Sequence, residues 1–311
     1  MSWIFVALSS YLLLAVANIF DKYLVDNVLK NSKAYAFIAC IMGLIVFIVA
    51  PWFLTWPGFL MFIFNILNGF VFAIALWMLY ESLLKGEASS VLVFIGGLTP
   101  IFSLILSLII FKEAYTINQW YGLITITLGV FLIAFLPKKR SWLSRLLNKF
   151  KISFKEKKGG LIFAVTSALF YSLYFVGTKI AYQNQEFLSA FIWTRLGAAL
   201  FVLLFLLSIK NRKAIKELIS KKSPKSNKFL VVFNQVIGSS GFLLQNYAIF
   251  LGSVVLVNAL QGTQYAFILI ISAVLAILKP KLLKENFSKR ILVQKIAAVL
   301  FIGVGMYFLT F

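Results

Sequence analysis

Ten hydrophobic runs, each close to twenty residues long and joined by short polar connections, restrict this 311-residue chain more than any other feature. A helix needs about 20 predominantly apolar residues to cross the hydrocarbon core of a bilayer. Read with a window of about 19 residues, the runs fall at 2–20, 34–56, 58–80, 88–111, 119–136, 159–181, 189–209, 229–251, 254–278 and 291–311. Only Pro57 parts the second from the third, and only Gly252 and Ser253 part the eighth from the ninth, so both pairs are expected as tight helical hairpins. Charged residues make up 13% of the chain, against about 25% in a soluble domain. That excludes a water-soluble enzyme and a disordered chain. The expected fold class is all-α, a polytopic membrane protein with ten transmembrane helices. Ala15-Val16-Ala17 resembles a signal-peptide cleavage site, but Met1-Ser2-Trp3 lacks the basic start of one, so the first run is read as a span.

The net charge of +21 would suggest nucleic acid in a soluble protein. Here the cations lie between hydrophobic blocks, which points to anionic lipid headgroups instead; no nucleic-acid partner is expected. Of the 30 Lys and Arg, 26 lie on the odd-numbered connections, most of them in 138–158 and 210–228. Only Lys112 and Lys179 lie on the other side, while Arg195 and Lys295 fall within spans. The positive-inside rule then puts the odd connections in the cytoplasm and both termini outside a cytoplasmic (inner or plasma) membrane. Within the first basic stretch Trp142, Leu143, Leu146, Leu147 and Phe150 recur at helical spacing, the pattern of a short helix lying on the membrane surface. Cys40 is the only cysteine and there is no histidine. A Cys/His metal site and a His-based triad are thereby excluded, and neither metal nor cofactor is expected. The chain also lacks a G-x-x-x-x-G-K-[ST] motif for ATP.

The chain also repeats itself. Tyr80 through Gly86 leads into the fourth span as Asn246 through Gly252 leads into the ninth, and Gly96 then falls opposite Gly262. Ala7, Ser10 and Lys22 correspond to Ala164, Ser167 and Lys179, and Gly129-Val130-Phe131-Leu132 to Gly305-Met306-Tyr307-Phe308. The organisation expected is a five-helix repeat over 1–137, a basic linker over 138–158 and a second repeat over 159–311. Five spans per copy make the second copy enter the membrane the other way up, and such inverted pairs favour alternating access around a midplane site.

Gly86-Glu87-Ala88-Ser89-Ser90, Leu98-Thr99-Pro100, Lys112-Glu113, Gln119, Gly122 and Gly129-Val130 together resemble the EamA repeat of the drug/metabolite transporter superfamily. Gly252-Ser253, Asn258-Ala259-Leu260, Gln264, Lys284-Glu285, Lys295-Ile296 and Gly303 to Gly305 resemble the same pattern in the second half. The resemblance implies ten helices and a central cavity built by spans 1–4 and 6–9, with spans 5 and 10 peripheral. It further implies a carrier of small metabolites. Many relatives are thought to keep both termini in the cytoplasm, whereas the cation count says the reverse here.

Polar side chains at membrane depth face the protein interior or a cavity. In the ninth span Asn258, Gln261, Gln264 and Tyr265 fall within an arc of about 120°, and in the eighth Asn234 and Gln245 share a stripe. With Asn18 in the first span and Asn68 in the third, these are the candidates for lining a substrate cavity; the alternative is amides bonding to one another between helices. Arg195 is the only cation well inside a span. It is either a fork for a substrate carboxylate or phosphate or a side chain snorkelling outward beside Trp193. Lys22 and Lys179, at equivalent repeat positions, are candidates for gating the two mouths, or else mark an interface. Pro100 interrupts the fourth span as a hinge or a fixed kink. Gly160, Ala164, Ala168 and Ser172 form a small-residue stripe for close packing, and the 33 Phe are read as lipid-facing bulk.

These readings favour a carrier, secondary-active or facilitative, that moves a small polar molecule by alternating access. No acid lies mid-span, so carboxylate-based proton or sodium coupling is not expected, and facilitated diffusion or exchange fits better. A translocase of a lipid-linked sugar or phospholipid is the second reading. A membrane enzyme is the third, disfavoured because the nine acids are scattered at helix ends. A homodimer is left open.

Overall fold

The computed structural model describes residues 2–27, 31–85, 88–134, 142–219, 225–278 and 289–310, and among these every regular element is helical. In hydrocarbon each backbone N–H and C=O must find its partner within the protein, and a helix satisfies them internally. In chain order the helices are α1 (Ser2–Asn27), α2 (Ser32–Met42), α3 (Ala50–Phe53), α4 (Phe59–Lys85), α5 (Ala88–Ile110), α6 (Ile117–Ala134) and α7 (Trp142–Asn184). They continue as α8 (Phe187–Leu203), α9 (Ile209–Ile219), α10 (Lys225–Leu251), α11 (Val254–Ala259), α12 (Gly262–Leu278) and α13 (Lys289–Thr310). Five segments are long and apolar enough to cross a bilayer: Ser2–Asp21, Ser32–Phe53, Phe59–Lys85, Gly160–Asn184 and Phe187–Leu207. Shorter apolar helices cover Phe94–Ile110, Val254–Ile268 and Leu300–Leu309. Large apolar side chains such as Leu60, Trp52, Ile109, Leu207 and Leu300 stand exposed around the outside, where lipid is their solvent. The chain is a multi-pass membrane protein.

Three elements depart from their sequence pattern. The second run does not stay α-helical: after α2 it tightens into a 3-10 helix over Gly43–Val49 before the single turn α3. The ninth run is broken at Leu260 and Gln261, between α11 and α12, so two short helices stand where one was expected. The segment at 142–150, expected as a separate surface helix, runs without interruption into the sixth span as α7. Neither Gly159 nor Gly160 breaks it, and no proline intervenes. The 138–141 part of the basic linker lies outside the described residues.

The core forms where helices from the two halves of the chain meet: α1 packs on α10 and α12, α4 on α7 and α8, α5 on α7 and α11, α6 on α13. Two glycine crossings make this possible. A Cβ on Gly69 of α4 would strike the backbone of Thr194 and Ala198 in α8, and one on Gly197 would strike Ile66 in α4. Gly122 of α6 and Gly305 of α13 stand in the same relation, each facing the other's carbonyl oxygen. The small-residue stripe of α7 does pack closely. Ala164, Ala168 and Ser172 are fully buried, Ser172 Oγ donates to Thr99 O at 2.9 Å, and Ser82 Oγ donates to Gly160 O at 2.7 Å.

Candidate functional site

A cavity of about 300 Å³ lies among α1, α2, α4, α5, α7, α8, α10 and α12. Its walls are mostly apolar and aromatic, with a few convergent polar groups, the usual composition of a small-molecule site. Of the residues singled out by sequence, Asn18, Arg195, Asn234, Gln245, Gln261, Gln264 and Tyr265 line it. The break between α11 and α12 turns Gln261 toward this space, and its Oε1, like that of Gln264, has no hydrogen-bond partner among the described residues. Tyr265 Oη donates to Leu92 O, a contact that a Cβ on Gly96 would block.

Arg195 sets the electrostatics. It is 6% exposed and lines the cavity, so the side chain does not snorkel outward. Its guanidinium lies 4.3 Å from the ring centre of Phe72 and 4.5 Å from those of Phe191 and Phe242. The ring faces stabilise the cation through their quadrupoles. Among the described residues it makes one long hydrogen bond, from Nη2 to Tyr174 Oη at 3.5 Å, while Nε has no partner. Tyr174 Oη is itself committed, donating to Asn246 Oδ1 at 2.9 Å. Trp193, two residues earlier and so on another face of α8, donates its indole N–H to Thr55 O at 3.0 Å and packs on Trp56 and Phe62. Phe72, Phe191 and Phe242 thus line the cavity, which corrects the expectation that phenylalanine here is only lipid-facing bulk.

Two amides stand elsewhere. Asn258 is fully buried, donates Nδ2 to Ser103 Oγ at 2.9 Å and accepts from Gln245 Nε2 at 3.5 Å, fastening α11 to α5 and α10. Asn68 donates to Tyr174 O and Thr178 Oγ1, both at 3.3 Å, fastening α4 to α7. Neither is among the residues lining the cavity; both act between helices. Pro100 lies inside α5, next to the cavity-lining Thr99.

Among the described residues Lys179 forms no ion pair with an acid. Its Nζ donates to the carbonyl oxygens of Ile249 at 2.9 Å, Phe250 at 3.3 Å and Gly252 at 2.7 Å, closing the C-terminal end of α10. Close by, Ser253 Oγ donates to Glu113 Oε2 at 2.7 Å and Tyr115 Oη to the same oxygen at 2.5 Å, tying the α5–α6 connection to the α10–α11 connection. Burial, and next the carboxylate that accepts its proton, push the Tyr115 phenol well above its ordinary range. The Lys22 side chain lies outside the described residues.

Sequence reading passed over Asp21, because it sits at the end of the first run beside Lys22. In the fold it lines the cavity. Its Oδ1 accepts from Tyr35 Oη and, at 2.6 Å, from Asn234 Nδ2. Among the described residues no group of three or more His, Cys, Asp or Glu exists that would hold a metal ion.

A family model described as the EamA-like transporter family matches residues 1–135 and again 158–311. No curated protein matches the chain in sequence. Among solved structures, one described simply as a crystal structure of a protein aligns with a TM-score of 0.64, over 98% of this chain and 96% of its own, at 13% identity. At that identity the likeness concerns the fold alone.

Proposed function

The chain belongs to the EamA-like transporter family, and from that membership we propose that it is a carrier, secondary-active or facilitative, that moves a small polar metabolite with an anionic group by alternating access across the cytoplasmic membrane. One observation carries the reading: the cavity holds a buried guanidinium with a free Nε and no carboxylate salt-bridged to it among the described residues. A buried charge without a partner is costly, and an incoming carboxylate, phosphate or sulfonate supplies one in bidentate form. The unpartnered amide oxygens of Gln261 and Gln264 would accept from hydroxyl or amine groups elsewhere on such a molecule. In this reading Gln245, Asn18 and Tyr265 complete the wall, whereas Asn258 and Asn68 hold the helices that present it.

The alternating-access part rests on a repeat of 1–137 against 159–311, in inverted topology, joined by the basic linker. Two pairs of hydrogen bonds support it. Ser10 Oγ donates to Gly241 O at 2.7 Å, and Ser167 Oγ to Ala75 O at 2.8 Å. Asn234 Nδ2 donates to Asp21 Oδ1 at 2.6 Å, and Asn68 Nδ2 to Thr178 Oγ1 at 3.3 Å. In the repeat register that sets Ser10 on Ser167 and Tyr80 on Asn246, each bond is the two-fold mate of the other in its pair. Lys179 would latch one mouth by capping α10, and Lys22 stands at the equivalent place in the first repeat. The basic loops would lie on anionic headgroups in the cytoplasm, with both termini outside.

A thermal-shift screen of the purified protein against amino acids, sugar phosphates and nucleotides tests the substrate class. A ligand at about a hundred times its Kd stabilises by about 2.7 kcal/mol. Anionic compounds should raise the melting temperature of the wild type and not of Arg195→Gln. Stabilisation by neutral compounds alone, equal in both proteins, would refute the reading.

A further inference from the structure

We propose that Asp21 is a proton-binding site coupled to the anion site at Arg195, so that the carrier takes up a proton with its anionic substrate. The inference rests on the anionic-substrate reading above and goes beyond it. It also departs from the expectation, drawn from the absence of mid-span acids, that the chain works without carboxylate coupling.

The geometry of the cavity carries it. Asp21 and Arg195 line the same space. Asp21 is held by two neutral donors, Tyr35 Oη from α2 and Asn234 Nδ2 from α10, and has no salt-bridge partner among the described side chains. The side chains facing it are phenols and amides: Tyr35 on α2, Tyr80 on α4 with its ring centre 4.4 Å from that of Tyr35, Tyr171 on α7, and Asn234 and Gln235 on α10. Lys22 follows it in the chain. Beside this cluster Asn234 Oδ1 is buried without a partner, an acceptor ready for a carboxyl O–H. Protonated, Asp21 can donate to Asn234 Oδ1 and still accept from Tyr35.

Separation decides what the two charges do together. Tyr35 bonds Asp21, and Gly43, eight residues on, stands against the Arg195 side chain. On α10, Asn234 bonds Asp21 and the ring of Phe242, also eight residues on, lies over Arg195. At about 1.5 Å per residue both helices place the charges roughly 12 Å apart. The ammonium and carboxylate of one α-amino acid share a carbon and cannot reach both. Asp21 is therefore not the second hand on a small zwitterion. In the empty carrier the charges of Arg195 and Asp21 offset each other. An anion on Arg195 leaves one negative charge in excess, and carrying that charge across the membrane potential and through a low-dielectric interior is unfavourable. A proton on Asp21 restores neutrality. One unit charge acting over about 12 Å at an effective dielectric of about 20 shifts the other group's proton affinity about tenfold.

The sign follows by linkage. Anion binding raises the proton affinity of Asp21, so the anion binds more tightly in acid and more weakly as pH rises. The test uses benzenesulfonate and methanesulfonate, permanent anions that carry no proton of their own, titrated calorimetrically into the purified full-length carrier. Measurements over a range of pH and in buffers of different ionisation enthalpy count the protons taken up. The wild type should take up at least about half a proton per anion at the midpoint, with Kd about tenfold weaker on the alkaline side. Asp21→Asn, which keeps an acceptor for Tyr35, should bind the anion with no proton uptake and a flat pH profile. Pairs of titrations in sodium and in choline distinguish a metal cation at the same carboxylate. Anion binding by the wild type that releases or takes up no proton at any pH overturns the proposal even if Asp21→Asn cannot be purified. So does a Kd that depends on sodium and not on pH. Failure of either sulfonate to bind the wild type at all, or equal binding by Arg195→Gln, overturns instead the anion reading on which it stands.

Discussion

Asn258 and Gln261 sit three residues apart, and truncating each should have opposite consequences. Asn258 is fully buried and makes two hydrogen bonds between helices, to Ser103 at 2.9 Å and from Gln245 at 3.5 Å. Interhelical hydrogen bonds in membranes average about 0.6 kcal/mol and reach about 1.7. Asn258→Ala also strands the buried Ser103 hydroxyl, a penalty of about 1–3 kcal/mol. Together these give about 2 kcal/mol of lost stability. Gln261 is only partly buried, and its Oε1 bonds to nothing among the described residues. Gln261→Ala should therefore change stability by less than about 0.5 kcal/mol, yet remove a polar group from the cavity. The assay is a melting curve of detergent-purified protein followed by size exclusion, paired with uptake into proteoliposomes of an anion found by thermal shift. Asn258→Ala should melt several degrees lower, with the transport of each folded molecule largely kept. Gln261→Ala should melt as wild type and transport poorly. Equal melting with equal transport loss in the two variants would refute the separation of wall from glue.

Gly69→Ala must push α8 away from α4, because its Cβ meets the backbone of Thr194 and Ala198; yield of folded protein should collapse. Gly303→Ala meets nothing within 4 Å and should melt at or slightly above the wild-type temperature, by about 1 kcal/mol of helix propensity. A reporter fused after residue 311 should behave as external and a tag near residue 145 as cytoplasmic, given the cation asymmetry; the opposite pattern in a reporter assay would show that the family's more usual orientation overrides it.

Much of the fold was legible because hydrophobic runs of bilayer length are hard to place anywhere but in a bilayer, and the duplicated EamA pattern was readable in residue order. The interruptions were not. Nothing in the apolar residues 43–49 announces that a helix will tighten there, and the break at Leu260–Gln261 was hidden within a run that looked continuous. That break sets Asn258 apart from the glutamines that follow it. An unbroken helix puts Asn258 on the same arc as Gln261 and Gln264, but the interrupted turn changes the phase, leaving Asn258 against α5 while the glutamines line the cavity. Arg195 had two readings by sequence, and helical phase held the clue: Trp193 and Arg195 lie about 200° apart around α8, so an outward-facing Trp193 does not carry Arg195 outward with it. Asp21 was missed because its place at the end of a run said nothing of the α2 and α10 side chains that enclose it.

If Arg195 forks the anionic group of the transported molecule, transport by three proteins separates its geometry from its charge. Wild type, Arg195→Lys and Arg195→Gln are reconstituted into proteoliposomes, and counterflow of the anion found by thermal shift is measured beside that of any neutral substrate. Lys, which keeps the charge but loses the planar bidentate geometry, should transport the anion at least about tenfold less well, the loss of roughly 1.4 kcal/mol of recognition. Gln should fall further, and a neutral substrate should change little. Equal transport of the anion by all three, with equal amounts of folded protein, would show that Arg195 does not hold the anion and leave it a structural residue.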